Sequence, residues 1–126
     1  MNVLDKALSV HAQALTARSQ RMELLARNIA NADTPNFKAR DIDFKSVMQQ
    51  AQGEIMTTTR AGHLAQAEGD PNTVLYRTPF NASFDGNTVE LNVEQAKYGK
   101  SAADYQATLN FLEQRVSGIR KALRGE

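Results

Sequence analysis

A chain whose three prolines and four of whose seven glycines fall between residues 35 and 88 can build long helices only at its two ends. Residues 1–34 contain neither residue type, and residues 89–126 contain no proline. Proline deletes a helical hydrogen bond, and an interior glycine costs a helix about 1 kcal/mol relative to alanine. The distribution therefore predicts helix, irregular middle, helix, over segments 1–34, 35–88 and 89–126. At 126 residues the three together are one domain.

Both ends carry apolar stripes at helical spacing. In the first segment Leu8, Leu15, Met22 and Ile29 recur every seven residues, joined by Leu4, Leu25 and Ala32 at the intermediate positions. Ala7, Ala12, Ala14 and Ala26 flank the stripe, while His11 and Arg18 interrupt it. A helix is expected from about Val3 to Ala32, stopped by Thr34-Pro35 because the residue before proline is pushed out of the α region. In the last segment Tyr98, Ala102, Tyr105, Leu109, Leu112, Val116, Ile119 and Leu123 alternate steps of four and three without a break. Asn92 reads as its N-cap with Gln95 completing a capping box, and the basic residues Arg115, Arg120, Lys121 and Arg124 suit its C-terminal end. That helix is expected over 93–124. Gly118, seven residues after Phe111, leaves room for a neighbouring helix. The fold class is thus mainly α, with two long terminal helices packed as an antiparallel coiled-coil pair. The seams hold too little apolar surface to order two such helices alone, so they want further neighbours and are expected to be assembly surfaces.

The middle is less regular. Phe44, Val47, Met48 and Ala51 share a helical face, with Asp43 as cap and Gly53 as stop, so a short helix is expected there. Residues 73–77 read as a short strand, with room for a small β-hairpin, and Asp85-Gly86-Asn87 as a turn leading into the last helix.

Composition closes off most chemistry. Without cysteine there are no disulfides, thiolate metal sites or cysteine nucleophiles. The two histidines, His11 and His63, make a poor metal site and read as one seam and one loop residue. Asp41-Ile42-Asp43 reads as the solvated edge of an extended piece rather than an acid pair. No nucleotide loop or nucleophile elbow occurs. The formal charge of +1 is even along the chain, at +1, −1 and +1 over residues 1–33, 34–88 and 89–126. Nothing here predicts nucleic acid, a small-molecule ligand, a cofactor or catalysis. No apolar run is long enough to span a membrane. Residues 1–33 lack the charged, apolar, small-residue order of a cleaved signal peptide, so any export is expected by another route.

One stretch carries more information. Leu24-Leu25-Ala26-Arg27-Asn28-Ile29-Ala30-Asn31-Ala32-Asp33-Thr34-Pro35-Asn36-Phe37 puts two weak helix formers, Asn28 and Asn31, in the last turns of a long helix. Their amides can bond the carbonyls exposed at a helix end. This stretch resembles the signature shared by bacterial flagellar rod, hook and hook–filament junction proteins, Asn-x-Ala-Asn-x-x-Thr-x-Gly-Tyr. Asn28, Ala30, Asn31 and Thr34 match it, and Pro35 lies within it. Asn36 stands where the family usually has glycine, and Phe37 where it has tyrosine. Asparagine tolerates left-handed backbone and phenylalanine keeps the ring, so both departures are mild. Ala39 to Phe44, Asp85 to Val89 and Tyr105 to Leu109 resemble the short rod members of that family.

The resemblance implies an axial structural protein of the flagellum, a subunit of the proximal rod that transmits torque and surrounds the export channel. It implies type III export without a cleaved signal and a place in the periplasm. The implied partners are further copies of the chain, the other proximal rod proteins, the rod–membrane-ring junction protein, the membrane ring and the export gate. Phe44-Lys45-Ser46-Val47-Met48 fits the family's Phe-x-x-x-apolar export element, with Phe44 and Met48 as its anchors; packing as one face of a short helix explains the same pair. Two other readings are the paralogous proximal rod protein C and, in a different class, a cytoplasmic coiled-coil adaptor or export chaperone. The second accounts for the heptads but not for the signature.

Overall fold

The computed structural model describes residues 3–53 and 74–125. In chain order the elements are α1 (Val3–Ala30), β1 (Arg40–Asp41), α2 (Phe44–Gly53), β2 (Leu75–Tyr76) and α3 (Leu91–Arg124). Residues 54–73, including His63 and the first residue of the strand expected over 73–77, lie outside the described residues.

Both terminal helices form where the proline-free segments lie, with two shifts at their ends. α1 stops at Ala30 rather than Ala32, and turns fill residues 31–36. Its end comes before Pro35 is reached, where the Asn31 side chain donates to the Arg27 carbonyl at 2.8 Å beside the bond that carbonyl takes from the Asn31 backbone N–H. α3 starts two residues earlier than expected, with Glu90 at the N-cap position, so Asn92 lies inside the helix and caps nothing. Glu90 makes no side-chain cap bond either; its carboxylate accepts from the Phe80 backbone N–H at 2.8 Å. At the far end Gly125 takes a left-handed φ of 75° and its N–H bonds the Lys121 carbonyl.

The two long helices run antiparallel. His11 faces Phe111, Arg18 pairs with Asp104, and Asn28 bonds Glu94, so each step up α1 matches a step back along α3. The contact line along α1 is His11, Ala14, Arg18, Leu25 and Asn28; along α3 it is Glu94, Ser101, Asp104 and Phe111. Its buried members are small or polar except Leu25: Ala14 and Asn28 on α1, Glu94 and Ser101 on α3.

The apolar seams lie beside this line rather than in it. Leu8, Leu15 and Met22 precede His11, Arg18 and Leu25 by three residues, which is about 60° round a helix of 3.6 residues per turn. Tyr98 and Tyr105 follow Glu94 and Ser101 by four residues, about 40° round. Because the helices run in opposite directions, both displacements point to the same side of the pair. The two stripes therefore form one flank. Leu25 is the only seam residue that is fully buried. Leu8, Leu15, Met22, Ile29, Ala102, Tyr105, Leu109, Leu112 and Ile119 are half-buried, whereas Leu4, Tyr98, Val116 and Leu123 are exposed.

α2 covers α1 on the other side. Ala17 of α1 packs with Ile42 and Val47, flanked by Leu24 and Phe44, and among the described residues α2 lies against α1 and not against α3. Asp43 caps α2 as expected: its carboxylate accepts from the Lys45 N–H at 3.1 Å and from the Ser46 hydroxyl at 2.8 Å. β1 and β2 pair antiparallel, Arg40 with Tyr76 and Asp41 with Leu75. The pair is closed across α2 and not by a tight hairpin turn. Gly99 and Gly118 face open space, so among the described residues no helix approaches either one.

Candidate functional site

The signature folds into a junction at the closed end of the helix pair, where the end of α1, the 31–39 turn, the β pair, residues 83–89 and the start of α3 meet. Asn28 is its centre. The side chain is 1% exposed and does not cap α1, as its place in the last turns suggested. Instead its amide donates to the Arg40 carbonyl at 2.8 Å and to Glu94 Oε2 at 3.1 Å, while its oxygen accepts from the Arg40 N–H at 3.1 Å. One amide thus imitates a strand neighbour for Arg40 and also holds α3.

A chain of charges continues from Glu94, which is fully buried. Its Oε1 meets the Arg77 guanidinium, which also bonds Asp41 Oδ2 at 2.6 Å. Asp41 receives Arg21 of α1 through two bonds, of 2.9 and 3.2 Å. The sequence reading of Asp41 as a solvated edge is therefore corrected. The residue is extended, as expected, but it sits between two arginines because α1 runs directly beneath β1. Burial by itself would raise the Asp41 carboxyl; bonds from Arg21, that residue's charge, and the bond from Arg77 together hold it below the usual carboxylate range. Nearby Lys97 is pushed down from its ordinary value, first by burial and then by repulsion from Arg77.

A second polar cluster ties off α1. Asn87 is 4% exposed, and its amide nitrogen lies 2.9 Å from the carbonyls of Asn31, Ala32 and Thr34. Its oxygen accepts from the Val89 N–H at 2.8 Å. A side chain 56 residues downstream in the sequence thus gathers three carbonyls of the turn that follows α1, of which those of Asn31 and Thr34 also accept from the Thr34 and Phe37 N–H groups. Thr34 donates its hydroxyl to the Asn31 side chain at 3.2 Å. Asn36 adopts φ 60°, the left-handed conformation anticipated from its place in the signature. Its N–H donates to the Asp85 carbonyl, and the Thr88 N–H donates to the Phe37 carbonyl at 3.0 Å. Gly86 fits closely here: a Cβ on it would stand 2.6 Å from Asn36 Oδ1.

Of the signature residues the junction therefore uses Asn28, Asn31, Thr34, Asn36 and Phe37 through hydrogen bonds. Ala30 is the last residue of α1 and Pro35 is exposed in the turn. Arg21, Arg77, Asn87 and Glu94 were not anticipated. For Glu94 a signal existed, since an acid seven residues before Ser101 shares its face of the helix. Phe44 and Met48 lie on α2; Phe44 packs against the α1–α2 cluster with the Arg18 guanidinium 4.2 Å from its ring centre, and Met48 is half-buried.

Among the described residues no group of acids and histidines is arranged to hold a metal ion. No described helix is long and apolar enough to cross a membrane. What the polar junction does is fix angles between helices and loops. A helix pair built around such a joint, with an apolar flank left open, is a structural subunit.

The family model "Flagella basal body rod protein" matches residues 8–38, from the first helix through the signature turn. The chain is 43% identical to flagellar basal body rod protein FlgB of Aeromonas hydrophila, over 97% of this chain and 96% of that protein. It is 47% identical to FlgB of Cereibacter sphaeroides, over 94% of each chain, and 40% identical to FlgB of Salmonella typhimurium, over 97% and 96%. The chain belongs to the FlgB family of flagellar basal body rod proteins. It is a structural component of the flagellar basal body rod, a setting of assembly with other rod proteins.

Proposed function

We propose that this chain is a subunit of the proximal rod, and that its α1–α3 pair forms part of a tube wall that surrounds the export channel and transmits torque. The observation that carries the reading is the open apolar flank. Leu8, Leu15, Met22 and Ile29 of α1 and Tyr98, Tyr105, Leu112 and Ile119 of α3 lie on one side of the pair, opposite α2, and this chain covers them only in part. Val3, Phe80, Phe84 and Leu123 are at least four-fifths exposed in addition. A free monomer rarely leaves so much apolar surface to water, whereas a subunit buries it against its neighbours.

The three segments 1–34, 35–88 and 89–126 act as one axial-type domain, with the junction as the joint between them. Its neighbours are further copies, the other proximal rod proteins, the rod–membrane-ring junction protein, and the membrane ring and export gate below. The chain reaches the periplasm through the type III apparatus without a cleaved signal. At the export gate the Phe44–Met48 element is read before folding, since in the folded chain Phe44 is packed on α1.

Leu112→Asp tests the flank directly. Leu112 is half-buried within the seam, so a charge there blocks subunit packing while leaving the junction intact. The variant is expected to be made and exported but not to enter rods, leaving cells without motility. Normal motility overturns the reading. For the export element, Phe44→Ala with Met48→Ala is expected to lower secretion at unchanged cytoplasmic level; normal secretion with failed assembly leaves these residues a packing role only.

A further inference from the structure

The apolar pattern of this helix pair does not fix how far one helix slides along the other. Leu8, Leu15, Met22 and Ile29 repeat every seven residues, and so do Tyr98, Tyr105, Leu112 and Ile119. Sliding α3 by seven residues restores an apolar stripe beside an apolar stripe. Apart from Asn28 and Glu94, the buried positions of the contact are Ala14, Leu25 and Ser101, too small or too few to object. Yet such a slide displaces α3 by about 10 Å, at 1.5 Å per residue, and moves its C-terminal end by that much relative to α1.

We propose that the buried polar groups of the junction and the Arg18–Asp104 pair are a register lock for the two helices. In the observed register Asn28 meets Glu94 and Arg18 meets Asp104 at 3.1 Å in both cases. A slide of one heptad in one direction brings Asp104 level with Leu25, carries Glu94 past the end of α1 and leaves Arg18 level with Phe111. A slide in the other direction gives Glu94 a new cation in Arg21. It also sets Lys97 against Arg18, takes Asp104 to His11 and strips Asn28 of its carboxylate. Each alternative strands a charge or opposes like charges in a half-buried contact, where either is costly. Buried polar side chains that cost stability and define register are a known use of such groups in helical pairs.

The loop reads the same register. Arg77, next to β2, spans Asp41 and Glu94, and β2 is held to β1 by strand pairing. Only when α3 sits correctly does Glu94 reach Arg77, so seating of residues 75–77 follows from correct helix alignment. This concerns the folded chain itself and stands whichever polymer the chain enters.

The absence of cysteine makes the test clean. In the full-length chain, His11→Cys with Phe111→Cys reports the observed register. Leu4→Cys with Phe111→Cys and His11→Cys with Gly118→Cys report the two heptad slides. Intramolecular disulfide yield at high dilution is read by mass spectrometry, and helix content by circular dichroism. With the lock intact, only the first pair is expected to close. With Asn28→Leu and Glu94→Leu added, helix content is expected to hold while at least one slid pair rises tenfold or more in yield. Slid pairs that stay silent in that helical background overturn the proposal, as does failure of the first pair to close with the lock intact. If the double leucine variant loses its helix, Glu94→Gln decides. It keeps the shape and removes the charge; slid closure then supports a lock, and native closure alone shows that the network only stabilises.

Discussion

Asn28 and Glu94 stand 66 residues apart in sequence and share a 3.1 Å hydrogen bond with both side chains at 1% exposure or less. Two polar groups at such burial are tolerated because each is satisfied, Asn28 by the Arg40 backbone and Glu94 by Arg77. The bond is the point at which the end of one long helix is referred to the beginning of the other.

Truncating one partner is therefore worse than replacing both. Glu94→Ala strands the Asn28 amide and leaves Arg77 with Asp41 alone, and is expected to cost about 3–5 kcal/mol. Asn28→Leu with Glu94→Leu is expected to cost less than Glu94→Ala, since neither helix keeps an unpaired group in the contact. Denaturant titration of the three proteins, with equal m-values, checks the order.

Asn87 is expected to matter as much as the signature itself. Asn87→Ala leaves the carbonyls of Asn31, Ala32 and Thr34 without their shared donor, at a cost of about 2–3 kcal/mol. Asn87→Asp is expected to be worse, because it offers those carbonyls an anion and no donor. Thermal melts followed at 222 nm separate the two.

Gly86 and Asn36 form a steric pair. Gly86→Ala meets Asn36 Oδ1 at 2.6 Å and must also hold φ 74°, so a loss of about 1–3 kcal/mol is expected. Asn36→Gly suits φ 60° and removes the obstructing oxygen. In the double variant only the φ cost at position 86 remains, so the losses are expected to be non-additive. A double-mutant cycle in urea measures the difference, and strict additivity counts against the contact.

The helices were legible because their signals are local: no proline and a seven-residue apolar period in the two long ones, and a cap at Asp43 and a stop at Gly53 for the short one. The strand pair was half legible, since residues 73–77 look extended but their partner across α2 leaves no local trace. The contact line between the helices was misjudged. The apolar stripe looked like the seam, whereas the line actually used is His11, Arg18, Leu25 and Asn28. The interruptions at His11 and Arg18 were the clue, being polar groups waiting for Phe111 and Asp104. The Asp41–Arg77–Glu94 chain was not legible at all, because it depends on three elements arriving at one place.

Acid should open the junction before it melts the helices. The Asp41 carboxyl is held below 3.8, its ordinary value, so the folded state favours its ionised form. A depressed folded value contributes stability that is fully present above the unfolded value and is lost as pH falls through the folded one. Stability is thus expected to be level from about pH 5 upward on this account and to fall below about pH 4. Asp41→Asn should remove part of that dependence while lowering stability at pH 7. Urea midpoints at pH 3, 4, 5 and 7 for both proteins check it; equal slopes below pH 4 would show that Asp41 does not contribute.

Asn31 tests whether the signature sets an angle or merely ends a helix. Its side chain donates to the Arg27 carbonyl at 2.8 Å and accepts from the Thr34 hydroxyl at 3.2 Å, at a half-exposed position. Neither bond is buried, and each is worth only about 0.5–1.5 kcal/mol. Asn87 still holds the Asn31, Ala32 and Thr34 backbone when the Asn31 amide is gone. Asn31→Ala is therefore expected to lower thermal stability slightly and to leave helix content nearly unchanged. What changes is the rigidity of the turn through which the chain leaves α1. In a polymer every subunit repeats that turn, so a small angular error accumulates along the lattice instead of averaging out. Rods built with Asn31→Ala are expected to stall or stop short, as seen by electron microscopy of isolated basal bodies. Full-length rods together with a lowered melting temperature would show the residue to be a plain helix cap, with Asn87 alone fixing the geometry.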